Sequence, residues 1–312
     1  MKIVITGGMG YIASALVELY RSQPEHEVTL VDRRFVPERV AALPGNVSFV
    51  ESDVEDIPRM KRVLEGADVL HLLNAEVEAE RSKDRAELVW HGNFELAKGL
   101  IEACSEATRI CFASSGNVFG GVDESEKFMD LTEEDDPKPR LPYAESKRAV
   151  EKLLLDSKRD NYTILRFGTN YGFAPGIRFN LVTNIFAKKA MLGETLTVHG
   201  TGDNFRPTCC TKDCARALDF LSASSDAAGE IFHVVSQSYK IRDLAQTVVR
   251  VMDTGASVTF VDKVVPFSAY ALSSAKIQKL GFRFEWPLDR AMEDMRDVFR
   301  GLIAGQERLG AP

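Results

Sequence analysis

The sequence predicts an α/β fold, a doubly wound parallel sheet with a smaller α/β C-terminal lobe, and three observations predict it. Short, continuous apolar runs rich in β-formers alternate with helical stretches through the N-terminal half, the pattern of parallel strands covered on both faces. The first such run passes straight into a glycine cluster and then into a helix. The length of 312 residues suits one large domain and a smaller lobe.

Taken in order, strands are expected at Lys2–Thr6, Val28–Asp32, Val47–Glu51, Val69–Leu73 and Arg109–Ser114, with helices Ala13–Arg21, Pro58–Glu65 and Leu88–Cys104 between them. Gly116–Pro142, rich in acid, Gly and Pro, reads as a long functional surface loop whose run Glu133–Asp136 is solvated. A helix follows at Tyr143–Lys158, then strands at Tyr162–Phe167 and Ile231–Val235. Beyond Gly172 the pattern loosens into a helix (Leu181–Leu192), a strand (Leu196–His199) and a loop (Gly200–Pro207). From Arg242 onward it is helical with one strand, Ser257–Val261. The expected division is a dinucleotide-binding domain over 1–172 with a return segment 208–238, and a substrate lobe over 173–207 and 239–312.

Charge and composition exclude several functions. A net charge of -7 offers no basic field for nucleic acid or anionic lipid. No apolar run approaches the ~20 residues of a membrane span, and the first one ends in a glycine turn, so a cytoplasmic protein is expected. Five cysteines, an odd number without framework spacing, read as reduced thiols. Cys209, Cys210 and Cys214 have no fourth ligand at suitable spacing, so no metal is expected there. His71 reads as a core residue of its strand.

The turn after the first strand is Thr6-Gly7-Gly8-Met9-Gly10-Tyr11-Ile12-Ala13. Gly7 permits the tight turn, Gly10 allows a pyrophosphate close to the backbone, and Ala13 holds the helix near the strand. The helix N-terminus then offers free N–H groups and a favourable dipole to phosphate. Asp32 ends the second strand, where a carboxylate accepts ribose hydroxyls and disfavours a 2′-phosphate, so NAD is expected over NADP. Arg33 and Arg34 blur that preference, either pairing with phosphate or stacking on adenine. Asp53-Val54 follows the third strand and would cap the adenine.

Tyr143 and Lys147 open a helix four residues apart and so share a face. A neighbouring ammonium favours the phenolate, so Tyr143 can take a proton from a substrate hydroxyl while hydride passes to NAD. Ser115 ends the fifth strand, at the sheet edge where ligands bind in such folds, and could hydrogen-bond the reacting oxygen. A loop serine capping a turn is the plainer reading of that position.

With these residues in this order the sequence resembles the extended short-chain dehydrogenase/reductases, the NAD-dependent sugar epimerases and dehydratases built on a Rossmann domain. The glycine motif, Ser114–Gly120, the Tyr-x3-Lys pair and Leu165–Gly172 all match, and the resemblance spans nearly the whole chain. It implies Ser115, Tyr143 and Lys147 as the catalytic triad. It implies a cofactor site of Gly7, Gly10, Tyr11, Ile12, Asp32, Arg33, Asp53, Val54, Leu73, Asn74, Ala75, Asn93, Ser114, Tyr143, Lys147 and Phe167. Thr169, Arg178, Asn180, Val198 and Arg206 would bind a nucleotide-sugar substrate, with Val198 on the base and Arg206 on the diphosphate. Members often dimerise through the helices here at Leu88–Cys104 and Tyr143–Lys158, so a homodimer is expected.

Departures narrow the activity. Phe119 replaces a usual tyrosine, and Thr169 a frequent asparagine. A second phosphate-binding arginine has no match around Pro266–Ser274, and Thr208–Asp213 replaces the usual hydrophobic-acidic strand. Dehydratases of the family carry acids just after the catalytic Ser or Thr, where this chain has Gly116 and Asn117. The expected activity is therefore a sugar-nucleotide 4-epimerase. The alternatives are a net NAD(P)-dependent oxidoreductase, reducing a 4-keto sugar or oxidising an alcohol, and a non-catalytic NAD-binding scaffold.

Overall fold

The computed structural model describes residues 1–75, 84–120, 129–262 and 270–308. In chain order the first elements are β1 (Lys2–Thr6), α1 (Tyr11–Tyr20), β2 (Glu27–Asp32), α2 (Pro37–Ala41), β3 (Val47–Glu51), α3 (Ile57–Leu64), β4 (Val69–Leu72), α4 (Ala86–Trp90), α5 (Leu96–Ala103), β5 (Arg109–Ser115) and β6 (Met129–Leu131). Then come α6 (Pro142–Leu155), β7 (Tyr162–Phe167), β8 (Thr169–Tyr171), α7 (Val182–Met191), β9 (Leu196–His199), β10 (Phe205–Cys210) and α8 (Thr211–Ala223). The chain closes with β11 (Glu230–Val234), β12 (Gln237–Lys240), α9 (Ile241–Met252), β13 (Val258–Val261), β14 (Tyr270–Leu272), α10 (Ala275–Lys279) and α11 (Leu288–Arg308).

Seven strands form one parallel sheet in the order β11-β7-β5-β4-β1-β2-β3. Its strands alternate between two apolar layers, which is why they read as continuous apolar runs. Ile3, Ile5 and Val28 face α1 and α8 through Leu16, Tyr20, Leu218 and Leu221. Val4, Leu70, Ile110 and Ile164 face α3, α5 and α6 through Met60, Leu100, Val150 and Leu154. Strand order reverses between β1 and β4, and ligands in such sheets bind where the C-terminal strand ends open at that reversal.

The smaller lobe has its own core, with Phe186, Leu196, Val198, Leu244, Val248, Met292 and Met295 joining α7, β9, α9 and α11. Ile277 and Phe282, although late in the chain, pack into the large-sheet core.

The structure differs from the sequence reading in several places; the region from Arg242 onward, expected to hold one strand, holds two, β13 and β14. The helix expected over Leu88–Cys104 is α4, a wide π-type turn over His91–Glu95, and α5. That turn buries Asn93 against α6, where its Nδ2 donates to Ser146 Oγ at 3.0 Å, and lets the Trp90 and Phe94 rings meet at 4.8 Å. The loop expected over Gly200–Pro207 gives way at Phe205 to β10, which joins β8 and β12 in a three-stranded sheet. Pro207 masked the strand, since proline is rare in one except where its missing N–H is not needed. Finally, the long loop Gly116–Pro142 contains a 3-10 turn at Gly116–Phe119 and β6, which pairs with β14. Part of that loop, 121–128, lies outside the described residues, as does 263–269 of the region that offers no second arginine. Among the described residues, no helix is long and apolar enough to cross a membrane.

Candidate active site

A cleft of about 720 Å³ runs along the C-terminal ends of β1 to β5 and β7. The glycine turn forms one end of it. Gly7 has φ +68°, and a Cβ there would lie 3.0 Å from the Asn74 backbone nitrogen. A Cβ on Gly8 would meet Leu30 Cβ at 2.7 Å, and one on Gly176 would meet the Gly10 carbonyl at 2.5 Å. Gly7 and Gly176 line the cleft with bare backbone where an extended phosphate ligand needs the approach, while Gly8 is buried and packs the turn against β2. Asn74 accepts from Thr6 Oγ1 at 2.8 Å through its Oδ1, and its Nδ2 is buried without a partner among the described residues. The turn, the helix N-terminus of α1 and this orphaned donor fit a dinucleotide.

Asp32 is 8% exposed, and its two carboxylate oxygens accept from the backbone N–H groups of Met9 and Arg34, each at 2.9 Å. Arg34 and Arg39 both donate to the Met9 carbonyl at 2.9 Å. Burial, then the charge of Arg34, pulls the Arg39 guanidinium below its usual range. Arg33, Asp53, Val54, Leu73 and Ala75 line the same end of the cleft. Gly10, Tyr11 and Ile12 line it too, with the Tyr11 hydroxyl donating to the Gly172 carbonyl and accepting from Asn184 Nδ2 at 3.1 Å.

At the other end β5 and α6 bring Ser115, Tyr143 and Lys147 together. Pro142 starts α6 at a position where its missing N–H costs nothing, which sets Tyr143 in the first turn. Ser115 is hydrogen-bonded to Tyr143, and its Oγ also accepts from the Asn117 N–H at 3.2 Å. The two sequence readings of Ser115, turn cap and partner of the reacting oxygen, are thus compatible. The expected lowering of the Tyr143 phenol is outweighed by burial, which raises it; the Ser115 hydrogen bond and the charge of Arg178 work against that rise.

Lys147 is 2% exposed, with Nζ donating to the Ala113 carbonyl at 2.8 Å and standing 4.9 Å from the Phe112 ring centre. Burial pushes its ammonium down to about 7, opposed by the charge of Glu151. Ser114 lines the cleft while its hydroxyl donates to Glu151 Oε1 at 2.5 Å. Phe167 lines the floor.

Of the expected substrate residues, Thr169, Arg178 and Arg206 line the cleft. Val198, Asn180 and Asn93 are not among its lining residues. Strand alternation turns Val198 into the lobe core at 1% exposure, which removes it from a base-stacking position. Asn180 is exposed, and Asn93 is committed to Ser146. The sequence reading missed Gly176, whose N–H donates to Ser14 Oγ at 2.9 Å, and Tyr270, a buried phenol beside the charge of Arg206. It also missed the carboxylate of Glu151, although Glu151 lies one helical turn beyond Lys147. All five cysteines are free and buried, and His71 is a core residue whose imidazole burial pushes down to about 3.

Comparison with known proteins agrees with this geometry. Residues 3–234 match the model of the NAD dependent epimerase/dehydratase family. The chain is 28% identical, over 96% of its length and 99% of the relative's, to a low-salt glycan biosynthesis protein, Agl12, of Haloferax volcanii. It is 26% identical to a dTDP-glucose 4,6-dehydratase of an Actinoplanes species, covering 91% of this chain and 92% of that one. A solved UDP-glucose 4-epimerase of Thermotoga maritima shares the fold, with a TM-score of 0.85, 22% identity, and coverage of 97% of this chain and 100% of that one. The glycine turn at the sheet reversal, the clustered Ser, Tyr and Lys, and the match over most of the chain lead to one conclusion: this protein belongs to the NAD dependent epimerase/dehydratase family, and NAD is its cofactor.

Proposed function

We propose that this protein is a sugar-nucleotide 4-epimerase working through a transient 4-keto sugar. One observation carries the reading. The Ser115–Tyr143–Lys147 set, with Ser115 and Lys147 buried and Tyr143 partly so, faces a cleft whose acidic lining, among the described residues, is Asp32 and Asp53 at the opposite end. Loss of water from the sugar needs an acid beside the leaving hydroxyl. Gly116 and Asn117 supply none, and a Cβ at Gly116 would already lie 2.7 Å from Leu272 Cδ1.

NAD, when bound, supplies the hydride acceptor and donor. Asp32 would hold the adenosine ribose, and the Gly7–Ile12 turn the diphosphate. Tyr143 Oη takes the proton of the sugar 4-hydroxyl and returns it after the keto sugar presents its other face. Ser115 keeps that phenol oriented and shares the reacting oxygen. Lys147 favours the phenolate by its charge and has two further N–H donors to spend on the cofactor's sugar. Arg206, a planar fork on the cleft wall, suits a diphosphate, and Arg178 is near enough to Tyr143 to affect its ionisation. In this division residues 1–172 and 208–238 bind the cofactor, and 173–207 and 239–312 bind the substrate. The apolar side chains of Leu88, Trp90 and Leu155, about two-fifths exposed on α4 and α6, support a homodimer through those helices. The buried reduced thiols support a cytoplasmic setting.

The test is incubation of the purified protein with UDP-, dTDP-, GDP- and CDP-sugars, followed by NMR for a C4 epimer. Conversion of one sugar nucleotide without net consumption of NAD is expected. Accumulation of NADH with no epimer would overturn the reading in favour of a net oxidoreductase.

A further inference from the structure

The buried pair beneath the catalytic residues has no part in the proton transfer described above. Glu151 is fully buried, one turn beyond Lys147 and two beyond Tyr143 on α6. Four donors saturate its carboxylate. Arg166 of β7 donates Nε to Oε1 and Nη2 to Oε2, each at 2.9 Å; Arg148 Nη1 reaches Oε2 at 3.0 Å; Ser114 of β5 reaches Oε1 at 2.5 Å. Arg166 is itself 1% exposed and stacks over the Phe119 ring at 5.1 Å.

One feature sets this arrangement apart from a purely structural ion pair. A lone buried pair is a poor source of stability, because desolvation cancels its attraction. This one joins the three elements that carry the site, since Ser114 precedes Ser115, Arg166 precedes Phe167, and Glu151 shares the helix of Tyr143 and Lys147. Resting on the reading that Lys147 serves the reaction, we propose that Glu151, locked by Arg166 and Ser114, is a positioning residue. It holds the end of β5 against α6 and supplies a negative charge that opposes loss of the Lys147 proton in a dry site.

The groups around Lys147 leave that task to Glu151. On α6 itself the neighbours are Tyr143 and the cation Arg148; β7 presents Arg166, and the segment after β8 presents Arg178, both cations. Behind Arg166, His233 of β11 is pushed down to about 3 by burial and by the Arg166 charge, and so stays neutral. Glu133, expected to be solvated, is instead partly buried: its carboxylate accepts the His233 backbone N–H at 2.7 Å and feels the charge of Arg166. Against burial, it is the charge of Glu151 that holds the Lys147 ammonium up.

The experiment is a pH titration of the Lys147 ε-carbon by NMR in protein labelled at lysine, with the resonance assigned by Lys147→Arg. Glu151→Gln should move the midpoint to lower pH by roughly one unit or more, the size of effect expected when a close opposite charge is removed. Glu151→Asp, which keeps the charge, should move it less. If Glu151→Gln does not fold with Arg166 left unpaired, the midpoint is read in Glu151→Gln with Arg166→Gln against Arg166→Gln alone, where the same downward displacement is expected. An unchanged midpoint, or a Glu151→Asp midpoint displaced as far as that of Glu151→Gln, overturns the proposal. Where an epimer assay is in hand, kcat should fall with KM nearly unchanged, and its pH profile should follow the NMR midpoint. A protein that epimerises no sugar nucleotide removes the proposed function, while the lysine titration still decides the role of Glu151.

Discussion

The two ends of the cleft are built from different materials. The adenosine end is mostly backbone: glycines packed too closely to carry a Cβ, the N-terminus of α1, and Asp32 held by two backbone N–H groups. The reacting end is side chain: a buried hydroxyl, a partly buried phenol raised by desolvation, and a buried ammonium set by desolvation and Glu151. One end therefore fails when atoms are added, and the other when atoms or charges are taken away.

The sharpest way to press this contrast is Tyr143→Phe, which removes one oxygen and leaves the ring in place. Turnover should fall by ~10²–10⁴-fold, the usual worth of a positioned acid–base group, with circular dichroism and melting temperature nearly unchanged. A loss below tenfold would mean that proton transfer lies elsewhere.

At the other end the corresponding change is an addition. Gly8→Val places side-chain atoms where Leu30 Cβ would lie 2.7 Å from the new Cβ. We expect a stability loss of about 1–3 kcal/mol from overpacking and a weakening of NADH binding of tenfold or more, read by denaturant titration and cofactor fluorescence. Unaltered NADH affinity would break the comparison.

A third prediction concerns pH. The folded Lys147 titrates near 7, below its unfolded value, so its burial is penalised most at low pH and the penalty fades as pH rises through and above that midpoint. Between pH 7 and 9 the wild type should gain roughly 2 kcal/mol of unfolding free energy relative to Lys147→Met. Parallel stability curves for the two proteins would contradict it. His71 contributes in the opposite pH range: neutral when folded, it loses stability as pH falls from about 6.5 toward 3.

The smallest effect is expected outside the cleft. Trp90→Glu, at an exposed apolar side chain of α4, should convert a dimer to a monomer in light scattering while leaving cofactor binding within about twofold, because Trp90 is not among the residues that line the cleft. A wild type that is already monomeric would remove the dimer from the proposal.

What was legible in the sequence follows the same division. The glycine turn, Asp32 and the Tyr143–Lys147 spacing are local patterns, fixed by a few consecutive residues and by helical periodicity, and each lies where the sequence places it. Val198 was misread because a segment likeness says nothing about which face of a two-residue repeat meets the core. β10 was missed because Pro207 and polar neighbours hide a strand that exists through pairing with β8 and β12. Glu151 could have been noticed, being four residues past Lys147 on one helical face. Its partner could not, because only the sheet order brings β7 beside β5 and turns Arg166 inward.

The five cysteines have a practical consequence. Cys104 and Cys111 are pushed up by burial to about 11 and about 12, and the thiols of β10 and α8 are raised as well. Almost none is thiolate near neutrality, so none reacts while its layer stays closed. Their sites sample α5, the centre of the large sheet, and the seam where β10 and α8 leave the lobe. Labelling rates at the individual cysteines therefore act as clocks, each timing how often its own part of the molecule opens.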